Sequence, residues 1–227
     1  LGRVTPVSSG SEDWCTWAME HEVPAEVGRV LSVASTDPSP TKWWANGWWA
    51  LELDDPQRRF LLDLLRKKMT LDEFLEFRDG RWTGLAETWW QVSKEMGRPI
   101  THWIWEQNAA QRFFLDTQVA KKWSMSRGVQ WVKHQTTANR TDPKYGPQRL
   151  ASIYRSGQVR FPGEGAQART TSLKLIDEAQ KWPKGQYDDC VMMQTFVELR
   201  RDNLIASFLS GDDGESEWVP TWVKGAA

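Results

Sequence analysis

Two apolar segments, WWANGWWALEL and RRFLLDLL, are separated only by DDPQ, and this spacing leaves the chain few ways to continue. Both are dense in aromatic and aliphatic residues suited to strands, and a Pro-containing link of four residues turns the chain back on itself. The pair reads as antiparallel strands joined by a tight turn. Just upstream, RVLSVAST is rich in β-branched residues and ends at DPSPT, whose prolines forbid continuation as a central strand. The three segments predict a meander.

The pattern then changes. TLDEFLEF and TGLAETWWQVSKEMG carry apolar residues at spacings of three and four, which predicts two helices, the second stopped by Gly97 and Pro99. ITHWIWEQN reads as a fourth strand ending in Glu106, AAQRFFLDTQVAKKW as one helix, and VQWVKH as a short strand. PKYGPQRLASIYRSG predicts a helix ended by Gly157, and QVRFP a brief extended piece. ARTTSLKLIDEAQKW and the long YDDCVMMQTFVELRRDNLIASF close the series as helices. An α/β fold follows, in which a parallel neighbour for the first strand can arrive only through a helical crossover.

At 227 residues, with 26% charged and 40% hydrophobic residues, the chain has the composition of one soluble globular domain. The expected domain runs over 28–210, with a linker and short helix over 1–27 and a polar tail over 211–227. No stretch approaches the roughly 18 apolar residues of a membrane span, so no membrane partner is expected. Cys15 and Cys190 are the only cysteines and suggest neither a zinc site nor a disulfide framework, which fits a reducing cytoplasm. The sixteen tryptophans are read mainly as core, with base stacking a lesser use.

Net charge is −1, which excludes a generalised polycation. The basic residues are nevertheless concentrated: from Lys121 to Arg160 there are nine lysines and arginines against one acid, Asp142. Such a segment either holds phosphates or forms a solvated face. Lys133, Arg140, Lys144 and Arg149 are the candidate backbone contacts, and His134 a candidate base or phosphate ligand. No GxxxxGK[ST] phosphate loop is present, so no ATP site is expected in this chain.

Three acidic positions share an unusual setting: Asp37 after the first strand, Glu106 at the end of the fourth, and Asp188 with Asp189 at the head of the last helix. Two carboxylates about 4 Å apart repel by about 4 kcal/mol at an effective dielectric of 20, so their convergence calls for a cation. Oxygen-only ligands suit Mg²⁺ or Mn²⁺, two of which activate a water and stabilise the leaving oxygen of a phosphodiester. The plain alternative is that Asp188 and Asp189 only cap a helix, where replacement would cost about 1 kcal/mol.

Taken together, VASTDPSPTKWW, HWIWEQNAAQRFF, VQWVKHQTTANRTDPKYGPQRLASIYRSGQVRFP and WPKGQYDDCVMM resemble the C-terminal nuclease domain of the large terminase subunit of tailed bacteriophages, over residues 28 to 200. The resemblance implies a ribonuclease H-like mixed central sheet flanked by helices. It implies a metal-dependent endonuclease that cuts concatemeric double-stranded DNA, with Asp37, Glu106 and one or both of Asp188 and Asp189 as catalytic metal ligands. It also implies an upstream ATPase domain, a portal and a small terminase subunit as partners, and the host cytoplasm as the setting. Family members often carry another Asp three residues after the second acid of the pair, where this chain has Met192. A junction-resolving nuclease of the same fold, and a DNA-gripping module silent on its own, are the rival readings.

Overall fold

The computed structural model describes residues 27–39, 43–54, 58–107, 113–136, 146–161 and 167–210. Of the expected linker over 1–27 all but Val27 lies outside them, as does the tail over 211–227. The meander is present: β1 (Val30–Asp37), β2 (Trp44–Glu52) and β3 (Arg59–Lys67) pair antiparallel in that order. β2 is buried along all nine residues, because helices cover both faces of the sheet at its centre.

After β3 come α1 (Leu71–Phe74), a small hairpin of β4 (Glu76–Arg78) and β5 (Arg81–Thr83), and α2 (Leu85–Glu95). β6 (His102–Glu106) then pairs parallel with β1, as a crossover connection allows. α3 (Gln118–Arg127) leads into β7 (Gln130–His134), parallel to β6. α4 (Leu150–Arg155), β8 (Val159–Arg160), α5 (Gln167–Lys181) and α6 (Asp189–Ser210) complete the chain. The mixed sheet has the order β7-β6-β1-β2-β3-β8, with β8 parallel to β3. Among the described residues no helix is long and apolar enough to cross a membrane.

Two expectations fail locally. TLDEFLEF gives only one helical turn, opened by a capping box in which Thr70 accepts from the Glu73 amide and Glu73 accepts from the Thr70 amide. Leu75 is already extended, and Asp79 and Gly80, both at positive φ, turn the hairpin that follows. An Asp-Gly pair between short β-like runs outweighed the helical spacing. The helix expected over AAQRFFLDTQVAKKW is likewise broken. Phe114–Asp116 form a 3-10 turn, Thr117 is extended at ψ 151°, and its hydroxyl caps α3 by accepting from the Ala120 amide at 3.2 Å.

One face of the sheet carries a tryptophan-rich layer under α1, α2 and α3. Trp44, Trp48, Trp89, Trp103, Trp105 and Trp123 are each at most 4% exposed and meet at ring-centroid distances near 6 Å. Three of their indole N–H groups find partners in the same layer: Trp48 donates to Ser32 Oγ at 2.8 Å, Trp103 to Thr36 Oγ1 at 2.9 Å and Trp123 to Glu87 Oε2 at 2.8 Å, while the buried Trp105 N–H has no hydrogen-bond partner. These rings are core, so base stacking is not their use. The opposite face carries α4, α5 and α6 over Leu31, Val33, Trp49, Leu64 and Ile104.

Glu87 is the polar tie of the tryptophan layer. It accepts from Arg127 at 2.8 and 3.0 Å, from Gln91 at 2.7 Å and from Trp123. Burial pushes its carboxyl up, but the Arg127, Gln91 and Trp123 donors outweigh burial and hold it below the ordinary range. Glu87→Ala is expected to lower stability by about 2–4 kcal/mol at pH 7, because Arg127 and the buried Trp123 N–H lose their acceptor. A depressed carboxyl contributes above its unfolded pKa and loses that contribution as pH falls through the folded value. Urea unfolding should therefore show the gap between wild type and variant narrowing below about pH 4.3.

Candidate active site

Strand register assembles the site. β1 presents Leu31, Val33 and Asp37 to the α6 face, and β6 presents Ile104 and Glu106 to the same face, because successive side chains alternate. Thr36 pairs with Trp105, so the next step along both strands sets Asp37 beside Glu106. Parallel neighbours lie about 4.8 Å apart. Glu106 is also paired with His134 on β7, Asp37 with Ala45 on β2, and Ala45 with Arg66 on β3. His134, Glu106, Asp37, Ala45 and Arg66 thus form one row across five strands.

Glu106 is 4% exposed and accepts a short hydrogen bond from Thr136 Oγ1, which fixes its side chain. Asp37 is half-buried. His134 is 7% exposed, stacks on Phe196 at 4.5 Å, and has a buried Nδ1 without a hydrogen-bond partner. Burial, then the Arg200 guanidinium, lower its pKa to about 4 against the opposing pull of Glu106. The ring is neutral at pH 7 and offers no charge to a phosphate.

α6 crosses this face diagonally. Asp189, Met193, Phe196 and Arg200 lie along one helical stripe, and they meet in turn Arg66, Gly47, His134 and the Lys133 carbonyl. The passage is close at Gly47, where a Cβ would come within 2.4 Å of Met193 Sδ. A glycine in β2 is therefore what lets the helix seat on the sheet.

Two aspartates stand at the head of α6. Asp189 Oδ2 accepts from Arg66 Nε at 3.3 Å and Nη2 at 3.2 Å. Asp188 precedes the helix, and its backbone carbonyl accepts the Met192 amide at 2.8 Å. The helix-start amides that a capping side chain would satisfy, those of Cys190 and Val191, donate to Glu178 Oε2 at 2.7 and 3.3 Å. Glu178 is 4% exposed, and burial raises its carboxyl above the ordinary range despite the opposing effects of Arg66 and of these amides. Burial, and then the same glutamate, push the Cys190 thiol well up, so Cys190 is an inert core thiol.

Glu178 and Arg66 were not anticipated from sequence, although a signal existed for one. Glu178 stands three residues after Leu175 and beside Ala179, on the apolar stripe of α5 where a charge is out of place. Arg66 looked like one of several basic residues at the end of β3.

Among the described residues no three His, Cys, Asp or Glu side chains converge closely enough to surround a metal ion. The structure brings Asp37 and Glu106 together and sets Asp188 and Asp189 at the head of the crossing helix. Of the basic candidates, Lys133 is exposed, lies on the opposite face of β7 and reaches Asp116 Oδ1 at 3.4 Å, while Arg149 is half-buried in the Pro147–Arg149 turn. Arg140 and Lys144 lie outside the described residues.

No family model and no curated protein matches the sequence. Solved structures do. The human cytomegalovirus terminase nuclease domain, in a Mn-soaked structure, superposes at a TM-score of 0.51 with 8% identity, covering 82% of this chain and 90% of that one. The P22 large terminase nuclease domain gives 0.46 at 11% identity, over 76% and 82%. The fowlpox virus Holliday junction resolvase gives 0.43 at 9%, over 77% and 99%. The chain shares the fold of the cytomegalovirus domain, here a mixed central sheet flanked by helices.

His134 supplies a test of the buried row. In the folded protein it stays neutral down to about pH 4, whereas in the unfolded chain it titrates near 6.5. The unfolded state binds more protons in that window, so stability falls as pH drops through it, by up to ~3 kcal/mol. Urea midpoints between pH 7 and 4.5 should show this slope, and His134→Gln should flatten it.

Proposed function

We propose that this chain is the metal-dependent endonuclease domain of a viral DNA-packaging terminase, acting on double-stranded DNA. The observation that carries the reading is the register of β1 against β6, which sets Asp37 beside the buried Glu106 at the carboxyl ends of two parallel strands. Ligands gather at such strand ends in α/β sheets.

The donor set fits a hard cation. Both side chains offer only carboxylate oxygens, as Mg²⁺ and Mn²⁺ prefer, and their mutual repulsion is relieved by a divalent ion. Asp37 and Glu106 would hold it, with a carboxylate from the head of α6 completing the set. When bound, a pair of such ions supplies an activated water and stabilises the departing oxygen of the phosphodiester.

The chain's own residues prepare the site. Thr136 orients Glu106 by donating to Oε1. The neutral His134 ring, packed on Phe196, closes the β7 side of the row and adds no competing positive charge. Backbone phosphates would be held by the basic segment, with Lys133, Arg140, Lys144 and Arg149 as the contacts. Partners under this reading are an ATPase domain, a portal and a small terminase subunit, in the cytoplasm of an infected host.

A second reading has one observation in its favour. Because no three candidate ligands converge among the described residues, the domain could grip DNA and cut only when a partner draws the α6 head toward the sheet pair.

The test is cleavage of supercoiled plasmid in Mg²⁺, in Mn²⁺ and in EDTA. Wild type is expected to nick and linearise with metal only, and Asp37→Asn or Glu106→Gln to lower the rate at least 100-fold while remaining folded. Mn²⁺ should raise the melting temperature of wild type and of neither variant, since only a bound ion stabilises the native state. DNA retention without cutting would favour the second reading. Faster cutting of four-way junctions than of linear duplex would favour a resolvase.

A further inference from the structure

β7 is the outermost strand of the sheet among the described residues, and a cavity of about 410 Å³ lies between it and the C-terminal half of α6. The helix contributes Arg200, Asn203, Leu204 and Ser207, which share one face because they stand three, four and seven positions apart. Gln130 and Val132 line it from the strand. No Asp or Glu is among the lining residues, so the cavity offers donors and one full positive charge from the helix, and no carboxylate.

Arg200 differs from the other arginines of the α6 face. Its guanidinium is half-buried and makes one hydrogen bond, from Nη2 to the Lys133 carbonyl at 3.1 Å, with no ion pair to any described residue. Arg59 and Arg66, by contrast, each hold a buried carboxylate. A partly dehydrated cation without a counter-charge is costly, and an anionic ligand would supply the missing charge.

Strand register fixes where this cation stands. The Gln130 amide donates to the Thr101 carbonyl, and the His134 carbonyl accepts from the Gln107 amide. Gln130, Val132 and His134 therefore turn their backbone groups toward β6, while those of Trp131 and Lys133 face the open side. By bonding the Lys133 carbonyl, Arg200 Nη2 takes the place that the amide of a further strand would occupy. It lies about 10 Å from β6, two strand spacings, and one residue short of the row that holds Glu106 and His134. One turn earlier on α6, Phe196 stacks on His134, so the cavity adjoins that row. A span of about 10 Å equals about three nucleotide rises along one DNA strand, too far for the phosphate being cut and right for one beside it.

Resting on the nuclease reading above, we propose that the β7–α6 cavity receives a backbone phosphate flanking the scissile one, held by Arg200 with Asn203 and Gln130 as neutral donors. The Lys133 carbonyl fixes one nitrogen of the guanidinium and leaves its other N–H groups for phosphate oxygens. Arg200 lies outside the basic run from Lys121 to Arg160, so a charge count along the sequence passes over it.

The variants Arg200→Gln, Arg200→Lys and Asn203→Ala test the site, with Arg201→Gln as the control. Arg201 is the next residue and carries the same charge, but it is paired with Asp202 at 2.8 Å. Binding of a short fluorescent duplex is followed by anisotropy in EDTA over a range of NaCl concentrations, and cleavage in Mn²⁺ over a range of duplex concentrations. Melting temperatures report folding. Arg200→Gln is expected to weaken binding roughly 10-fold and to reduce the slope of log affinity against log salt by about 1, the signature of one lost phosphate contact. In cleavage it should raise KM and leave kcat within about twofold, because the contact is equal in the ground and transition states. Arg200→Lys should keep the salt slope and recover part of the affinity. Asn203→Ala should weaken binding less and leave the slope unchanged, since a neutral donor releases no counterion. Arg201→Gln should change neither.

An arginine that only caps the edge strand would lower the melting temperature of Arg200→Gln and leave the affinity and slope of the folded protein as they were. That result overturns the proposal, and so does an equal loss in Arg201→Gln, which marks a diffuse charge effect. The two readings fail differently. A wild type that binds duplex through Arg200 but does not cut in Mn²⁺ removes the endonuclease and keeps the phosphate contact, whereas a wild type that cuts, with Arg200→Gln unchanged in KM, removes the phosphate contact alone.

Discussion

The parallel pairing of β1 with β6 is the constraint on which the rest depends. Antiparallel meanders need only tight turns, but a parallel neighbour must be reached by leaving the sheet and returning, and α1, the hairpin and α2 form that detour. The detour covers one face with aromatic side chains and delivers β6 with its carboxyl end level with that of β1. Slipping β6 by one residue would turn Glu106 into the tryptophan layer and Trp105 toward α6. The Trp103, Trp105 and Trp131 rings against Phe74 make that slip expensive, so the bulky face enforces the register of the acidic one.

The two faces therefore divide the labour. The tryptophan side is packed from large rings, and Ser32, Thr36 and Glu87, each fixed in place by the strand or helix that carries it, take the N–H groups of Trp48, Trp103 and Trp123. The α6 side is mostly aliphatic, with Trp49, Phe161 and Phe196 among its apolar residues, and it carries a buried ion pair, Arg59 with Glu198 at 2.6 Å. That pair ties the far end of β3 to the middle of α6, while Arg66 ties the near end of β3 to the helix start. β3 thus grips α6 at both of its ends. A helix held twice by one strand cannot tilt freely, which suits a site whose parts lie on sheet and helix separately.

The strands and the long helices could be read from the sequence because their signals are local: β-branched and aromatic runs bounded by prolines and glycines, and apolar spacing of three and four. So could the neighbourhood of Asp37 and Glu106, since strand order and chain direction fix it without any knowledge of side-chain contacts. The breaks at Leu75 and Thr117 were missed because one turn chemistry competed with a helical pattern and won over a few residues. The tie between Arg66 and Asp189 was not legible at all. It joins positions 123 residues apart in sequence, with Glu178 beside them, and no local pattern links three such positions.

The tie of α6 to Arg66 bears on how the proposed site would respond to its ligand. Two carboxylates on adjacent parallel strands are rigid, since moving either breaks ladder bonds on both sides. A third carboxylate carried on the lip of a helix is held by fewer constraints, here a guanidinium shared between two acids and a glutamate on α5 that takes two amides. Under the proposed metal site, a change in the seat of α6 would alter the helix carboxylate alone and leave the pair on the sheet intact. The affinity for a first ion would then be set by the sheet and the completion of the site by the helix, so the two properties need not change together.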